Sequence, residues 1–225
     1  EAASYFNPSK VSVTGQPVRR SIISASRESA IDFFELDPQV PVIGIFAGSQ
    51  GAKVINDAIL RILPDLLQKY QVLHQTGPKN FEDVKTDVGV IMGDDVRRSR
   101  YKPFAFLGDV QTKMFGSASN IIIGRSGSSL FEISAWGKPS ILIPYALAHG
   151  DHQRKNAYHY ARSGACTVIE EANLTPSVLS HEIENIISNT ERYNIMSSRA
   201  KAFFKPDAAR EIAVEAIKIA LEHEK

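Results

Sequence analysis

Short runs of β-branched and aliphatic residues alternate along the chain with longer segments in which apolar residues recur at helical spacing. This alternation is typical of a parallel β-sheet with helices packed on both of its faces. The predicted strands lie at residues 11–14, 42–46, 71–75, 104–106, 121–123, 140–143 and 167–169. The chain is therefore predicted to form an α/β fold with a Rossmann-like, doubly wound parallel sheet, in which ligands bind at the carboxyl ends of the strands.

The helical segments complete this pattern. Apolar residues from Ile55 to Leu66 follow one helical stripe, and Pro64 is predicted to kink or shorten that helix. Residues 85–100 show no clear period, so we expect a loop or an irregular insertion there. Further helices are predicted at residues 109–117, 128–136, 151–162, 176–188, 190–203 and 207–222, and the last has an alanine-rich stripe suited to docking.

Charge and cysteine content narrow the possible classes of function. A chain of 225 residues with a net charge of +1 lacks the broad basic surface that nucleic-acid binding needs, so no nucleic-acid partner is predicted. Cys166 is the only cysteine, which excludes an internal disulfide. No apolar stretch approaches the roughly 18 residues needed to span a bilayer. The chain begins without a Met or a signal-peptide core, which favours the interpretation that it was cut from something longer.

The first strand-to-helix turn, at residues 47–51, is rich in small residues. Gly48 and Gly51 flank Ser49 where the strand at 42–46 meets the next helix. Such a turn leaves backbone N–H groups free at a helix N-terminus, which favours a bound phosphate. Small residues would equally allow the helix to pack closely against the strand, and this interpretation stays open. The spacing differs from the dinucleotide fingerprint G-x-G-x-x-G, so NAD is not predicted.

Ser49 also supports a hypothesis from a different class of function. If the turn is a relaxed nucleophile elbow, Ser49 would attack an acyl group in a serine hydrolase. That chemistry needs an acid and a histidine, for which Asp95 or Asp109 and His149 or His152 are the candidates.

A second glycine- and serine-rich turn follows the strand at 121–123. Ser128 or Ser129 can cap the next helix, and Glu132 lies about one turn inside it. A carboxylate at this position can accept hydrogen bonds from both vicinal hydroxyls of a ribose. The alternative interpretation is a favourable charge near the positive end of the helix dipole.

The third candidate element is the loop at residues 149–153. His149, Asp151 and His152 suggest a metal site, but no further ligand set with suitable spacing is visible. We therefore expect polar contacts to sugar hydroxyls from this helix start, and no metal. His74, at the end of its strand, is predicted to be a structural histidine.

Taken in order, these turns resemble the C-terminal, donor-binding domain of the MurG family of glycosyltransferases. The resemblance implies half of a GT-B fold, in which two Rossmann-like domains face each other, and a site for UDP-GlcNAc without a metal or other cofactor. The segments that carry it are residues 13–19, 47–53 with Asn56, 74–77, 125–132, 137–139, 143–144, and 151–153 with Asn156 and Ala157.

The resemblance also implies roles for individual residues. Arg19 and Ser49 would contact the diphosphate region, the backbone of Leu107 would bind uracil, and Glu132 would hold the ribose. The remaining implied contacts are the backbone of Ser128, Ser129, Leu130 and Phe131 with the α-phosphate, and the side chains of Gln153 and Asn156 with the hydroxyls of GlcNAc.

The implied reaction is an inverting transfer of GlcNAc to lipid-linked MurNAc-pentapeptide in peptidoglycan synthesis, at the cytoplasmic face of the cell membrane. The acceptor site and the base would belong to an N-terminal half, so no catalytic residue is assigned in this chain. Residues 1–20 would be an interdomain connection, residues 21–205 the UDP-sugar domain, and residues 206–225 a helix that braces the other half. Two alternatives stay open: the donor-binding subunit of a split glycosyltransferase, and another GT-B enzyme such as a UDP-GlcNAc 2-epimerase.

Overall fold

Six parallel strands form the centre of the chain in the computed structural model, which describes residues 6–48 and 50–223. Their order across the sheet is β3-β2-β1-β4-β5-β6. The direction of winding reverses between β1 and β4, so the loops after these two strands diverge and open a crevice at the carboxyl edge. The strands are β1 (Val42–Phe46), β2 (Gln71–Gln75), β3 (Tyr101–Phe104), β4 (Ile121–Gly124), β5 (Ser140–Leu142) and β6 (Cys166–Val168).

Helices cover both faces of the sheet. They are α1 (Arg27–Phe33), α2 (Lys53–Lys69), α3 (Phe81–Met92), α4 (Asp109–Ala118), α5 (Ser129–Trp136), α6 (His152–Ala161), α7 (Pro176–Ser188), α8 (Thr190–Phe203) and α9 (Ala208–His223). The core on one face is built with α2, α3 and α7, and the core on the other with α1, α4, α5 and α6. Within the described ranges, no helix is both long and apolar enough to cross a membrane.

The side-chain alternation of β1 divides these two cores. Ile43 and Ile45 are fully buried in the first core, together with Ile55, Ile59 and Leu63 of α2. Every residue of β1 is buried, because helices cover both faces. A strand in this position reads as a continuous apolar run, which is why residues 42–46 were predictable as a central strand.

Aromatic residues fill the second core. Phe46 lies with its ring 5.4 Å from that of Phe115 and 5.3 Å from that of Trp136. The indole of Trp136 packs directly on Gly116, where a Cβ would lie 2.3 Å from the ring. Its Nε1 donates to the carbonyl of Ile22 at 2.7 Å, which satisfies the one polar atom of the buried indole.

The predicted α/β fold is confirmed. Two predicted strands, 42–46 and 71–75, agree with the structure at both ends, and those at 121–123, 140–143 and 167–169 agree within one residue. The six helices predicted from residue 109 onward also agree within one residue at each end.

The prediction for residues 85–100 was wrong. Residues 85–92 belong to α3, and a short turn then leads to a 3₁₀ helix at Val96–Arg100. Val84, Val88 and Met92 form a buried i, i+4 stripe on α3, but Val90 is exposed and Ile91 partly so, which obscured the helical period. Helix α1 was not predicted at all.

Three smaller predictions also need correction. Residues 11–14 form no strand, and Val13 is 70% exposed. The strand predicted at 104–106 lies three residues earlier, at Tyr101–Phe104, where Pro103 is tolerated because β3 is an edge strand paired only with β2. Helix α2 is not shortened at Pro64, because its buried face continues through Leu66 and Leu67.

Candidate functional site

A cavity of about 700 Å³ opens at the carboxyl edge of the sheet, where the loops after β1 and β4 diverge. This volume is in the range of sites for small organic ligands. The loops after β1, β3, β4 and β5 contribute to its walls, and β2 contributes its last residue, Gln75. The residues predicted from sequence that line it are Arg19, Leu107, Ser128, Ser129, Glu132 and Gln153.

The glycine turn after β1 forms one wall. Gly48 and Gly51 have φ angles of +85° and +71°, and Gly51 N–H donates to the Gly48 carbonyl at 3.0 Å. A Cβ at Gly51 would lie 1.9 Å from the Thr76 carbonyl oxygen, whereas one at Gly48 would meet open space. Gly51 therefore allows close backbone packing, and Gly48 supplies the left-handed conformation beside the cavity. Ser49 lies outside the described residues.

A buried network of polar side chains lies behind this turn, between α2 and β2. Asn56 Nδ2 donates to the Thr76 carbonyl at 3.0 Å, and Asn56 Oδ1 lies 3.0 Å from His74 Nε2. The Tyr101 hydroxyl lies 2.8 Å from His74 Nδ1. Because Asn56 Oδ1 can only accept, His74 carries its proton on Nε2 and accepts from Tyr101. Burial lowers the pKa of His74 to about 3, so the ring is neutral and structural, as predicted.

The N-terminus of α5 forms the opposite wall. The N–H groups of Leu130 and Phe131 donate to the carbonyls of Gly127 and Ser128. The side chain of Leu130 is buried in the core, and the ring of Phe131 stacks on that of Phe203 on α8. Neither residue lines the cavity. Of the four residues whose backbone was predicted to contact a phosphate, Ser128 and Ser129 are the two that line the cavity.

Arg19 joins two carboxylates at the cavity. Its Nη1 pairs with Asp109 Oδ1, and its Nη2 donates to Glu132 Oε1 at 3.2 Å. Ser21 Oγ donates to the second oxygen of Asp109 at 3.1 Å. Burial raises the pKa of Glu132, and the neighbouring guanidinium of Arg19 opposes that shift. Two predicted binding residues thus pair with each other at the wall of the cavity.

The loop after β3 supplies an apolar surface. Leu107 is buried, and its carbonyl accepts a hydrogen bond from Thr112 Oγ1 at 3.2 Å. Phe106, next to it, lines the cavity and is 55% exposed. Sequence reasoning missed Phe106 as a site residue because it was placed inside a strand. Its position directly before Leu107, in a loop between a strand and a helix, is the feature of the sequence that could have identified it.

Gln153, Asn156 and Ser126 connect the starts of α5 and α6. Ser126 Oγ donates to the Gln153 carbonyl at 2.7 Å, and Asn156 Nδ2 donates to the Ser126 carbonyl at 3.1 Å. Gln153 Oε1 accepts from the N–H of Tyr145 at 3.0 Å. Gln153 lines the cavity, but Asn156 does not. The two predicted sugar-binding residues are therefore separated, and Asn156 positions the turn that carries Ser128.

A buried ion pair holds the loop after β5. Arg125 Nη2 lies 2.6 Å from Glu171 Oε1, and Arg125 Nη1 donates to the Ile143 carbonyl at 3.0 Å. The Tyr145 ring lies over the guanidinium, 5.3 Å from its carbon to the ring centroid. Arg125 and Tyr145 both line the cavity, so this ion pair fixes the wall next to Gln153.

The histidines of the third loop do not converge on a common point. His152 Nδ1 donates to the His149 carbonyl at 2.8 Å. Over the part of the chain that the structure describes, no group of three or more His, Cys, Asp or Glu side chains could hold a metal ion.

A doubly wound sheet with two helix N-termini and two glycine turns at its switch point is the arrangement of a Rossmann-type domain. Residues 42–212 match the family model of the glycosyltransferase family 28 C-terminal domain, and the chain belongs to that family.

Curated relatives and solved structures agree with this assignment. One relative is the UDP-N-acetylglucosamine--N-acetylmuramyl-(pentapeptide) pyrophosphoryl-undecaprenol N-acetylglucosamine transferase of Lactiplantibacillus plantarum. The two sequences are 33% identical over 216 residues, and the alignment covers 94% of this chain and 57% of that protein. The chain is also similar to the crystal structure of MurG from Acinetobacter baumannii, with a TM-score of 0.68 and 24% identity over 94% of this chain and 58% of that one. A putative UDP-N-acetylglucosamine 2-epimerase from Listeria monocytogenes gives a TM-score of 0.66 and 16% identity over 99% and 56% of the two chains. The chain thus spans a little over half the length of the relatives it matches, and its fold is that of one GT-B half.

Proposed function

We propose that this chain is the donor-binding half of an inverting N-acetylglucosaminyltransferase that moves GlcNAc from UDP-GlcNAc to lipid-linked MurNAc-pentapeptide. The observation that carries the proposal is that one cavity, at the switch point, is lined by Arg19, Leu107, Glu132 and Gln153 from distant parts of the chain. The 33% identity to a transferase named for this reaction supports the choice of substrate.

In this proposal the diphosphate lies between the two glycine turns. The N–H groups of Ser128 and Ser129 have no acceptor among the described residues, and the dipole of α5 adds a partial positive charge there. Across the cavity, the turn at Gly48 gives a close backbone approach to the same anion. Ser49, between the two glycines of that turn, is proposed to contact the diphosphate as well.

The nucleoside and the sugar then occupy opposite ends of the cavity. Uracil lies at the Phe106–Leu107 loop, with the ring of Phe106 against one of its faces. The ribose hydroxyls donate to Glu132. Glu132 lies near the uracil end of the cavity, because Arg19 links it to Asp109, the first residue of α4 after the Phe106–Leu107 loop. The GlcNAc lies towards Gln153, whose Nε2 makes no hydrogen bond within the described chain.

Arg19 changes partner when the donor binds. Its ion pair with Asp109 is exposed and its bond to Glu132 is long, so exchange costs little. When Glu132 accepts the ribose hydroxyls, one side of the guanidinium is free to reach the diphosphate. In the reaction the acceptor C4 hydroxyl oxygen attacks C1 of GlcNAc, and the bond from C1 to the UDP oxygen breaks. Arg19 and the α5 amides stabilise the negative charge that develops on UDP.

The acceptor site and the base that takes the hydroxyl proton belong, in this proposal, to the other half of the enzyme. Residues 1–20 then form the interdomain connection, residues 21–205 the donor domain, and residues 206–225 the brace to the other half. Helix α9 fits this role because several large apolar side chains are exposed along it: Ile212, Val214, Ile217, Ile219 and Leu221. The complete enzyme would act at the cytoplasmic face of the membrane, where its lipid-linked acceptor lies.

A second candidate is a UDP-GlcNAc 2-epimerase, which the structural similarity to such a protein from Listeria monocytogenes favours. Thermal unfolding with UDP-GlcNAc, ADP-glucose or NAD tests the donor site: only the uridine nucleotide should raise the midpoint temperature. The chain should show no transfer of radiolabelled GlcNAc by itself. Conversion of UDP-GlcNAc to its C2 epimer, UDP-N-acetylmannosamine, would overturn the transferase proposal in favour of the epimerase.

A further inference from the structure

Two glutamines at the ends of β2 have opposite hydrogen-bonding states. Gln71 is 3% exposed, and its Oε1 accepts from the N–H of Asp37 at 2.8 Å. Its Nε2 donates to the carbonyls of Asp37 and Val40 at 2.9 and 3.1 Å. Gln75 is 2% exposed, and its side-chain amide makes no hydrogen bond with any described residue. Gln71 is therefore a structural residue, whereas the buried amide of Gln75 has no hydrogen-bond partner among residues 6–48 and 50–223.

A buried amide without partners weakens folding, because its groups lose water and gain nothing in return. Gln75 also lines the cavity. A polar group with unused bonding capacity, buried and facing a ligand cavity, indicates that the ligand supplies the partner.

Strand alternation determines the end of the cavity at which this amide lies. His74 faces α2, where it bonds to Asn56, so Gln75 faces the opposite side of the sheet. That side is the one on which Leu73 packs in a common core with Phe46 and Leu107. The side chain of Gln75 therefore lies on the same face of the sheet as the Phe106–Leu107 loop, and α2 lies on the opposite face.

We propose that Gln75 reads the nucleobase, with its amide hydrogen-bonded to the polar edge of the pyrimidine. The proposal rests on the proposed function, because it takes a uridine nucleotide as the ligand. Uracil presents an N–H between two carbonyl oxygens. One amide can accept from that N–H and donate to a neighbouring carbonyl, which uses both halves of the Gln75 side chain.

The test compares two ligands that differ only in the base: UDP and ribose 5-diphosphate. Calorimetry on the wild-type chain and on Gln75→Met measures how much the base adds to affinity. Met has nearly the same volume and no hydrogen bonds, so the ratio of the two affinities should fall about tenfold. Gln75→Asn, which keeps an amide but withdraws it from the ligand, should lower the ratio as well.

Gln71→Met is the matched control from the other end of the strand. It leaves the backbone of residues 37–40 without partners, so its unfolding midpoint should drop while UDP affinity stays unchanged. Gln75→Met should keep or raise the midpoint, because it removes an unpaired buried amide. An unchanged UDP affinity in Gln75→Met, or an equal loss for both ligands, would overturn base reading. A wild-type chain that binds neither ligand would instead overturn the proposed function and this inference with it.

Discussion

One group of polar side chains packs between α2, β2 and β3, another lines the cavity, and the two differ in how fully they are paired. In the first group, Asn56, His74 and Tyr101 are buried, uncharged and bonded to one another. In the second, Arg19 and Glu132 line the cavity, keep some exposure and bear opposite charges.

The contrast separates support from binding. The first group uses its hydrogen-bonding capacity within the protein, so it holds α2 and β2 in place and has little to offer a ligand. Rearranging the second group costs less free energy, because exposed ion pairs contribute little to stability. Changes in the first group should therefore alter folding with little effect on binding, and changes in the second should do the reverse.

The largest expected effect is on stability, at Asn56. Asn56→Ala removes the hydrogen bonds to the Thr76 carbonyl and to His74, and leaves the His74 N–H buried without an acceptor. We expect the free energy of unfolding to fall by about 3 kcal/mol in urea titrations. The control is Gln68→Ala on the exposed face of the same helix, which should change it by less than about 0.5 kcal/mol. A similar small loss in both variants would show that the buried network contributes nothing special.

The second effect is a dependence of stability on pH that arises from His74. Burial lowers its pKa to about 3 in the folded chain, against 6.5 when unfolded. Below pH 6.5 the unfolded chain takes up a proton that the folded chain does not, so this contribution to stability is full above 6.5 and is lost as pH falls towards 3. Between pH 7 and pH 5 the loss should be about 2 kcal/mol. In His74→Gln this part of the pH dependence should be absent; an unchanged profile would refute the account.

The third effect is on binding, at Glu132. Glu132→Ala should weaken UDP by about 2 kcal/mol, since hydrogen bonds to a charged group are lost and the release of Arg19 offsets only a little. The loss should be smaller for 2′-deoxy-UDP, which already lacks one of the two hydroxyls. Calorimetry with both nucleotides measures the difference, and the unfolding midpoint without ligand should change little. Equal losses for both would mean that Glu132 only supports the start of α5.

The smallest effect concerns Gln153. Gln153→Ala should cost about 1 kcal/mol of the preference for UDP-GlcNAc over its C4 epimer UDP-GalNAc, because the Nε2 donor is lost. UDP itself should bind almost as before, with a minor change from the lost bond to the Tyr145 N–H. Competition of the two sugar nucleotides for the chain provides the measurement. A drop in UDP affinity as large as that in UDP-GlcNAc affinity would place Gln153 at the nucleotide.

The sequence predicted the sheet well where periodicity and burial agree. Residues 42–46 are apolar throughout because both faces are covered, and helix α8 lies where it was expected. The edge strand β3 was misplaced because its partly exposed residues carry no such run and Pro103 argues against a strand. Helix α3 was missed because exposed Val90 and Ile91 interrupt its buried stripe.

The candidate site was predictable as a set of turns, but not as a set of contacts. The glycines after β1 and the serines before α5 follow from local backbone requirements and can be recognised in the sequence. The pairing of Arg19 with Glu132 joins residues 113 positions apart, so no local pattern announces it. Whether the side-chain amide of Gln75 finds a hydrogen-bond partner depends on which residues the fold brings next to it, so the sequence could not predict this.

The most direct test of the account is to locate the nucleotide on the isotopically labelled chain by NMR. Titration with UDP should shift the amide resonances of Leu107, Ser128 and Ser129, on both sides of the cavity. Those of β6 and of the start of α8, at the far edge of the sheet, should stay in place. Saturable shifts confined to the cavity are the predicted result. No shifts at millimolar UDP, or shifts that map to the far edge of the sheet, would contradict the claim that the switch-point cavity is a uridine nucleotide site.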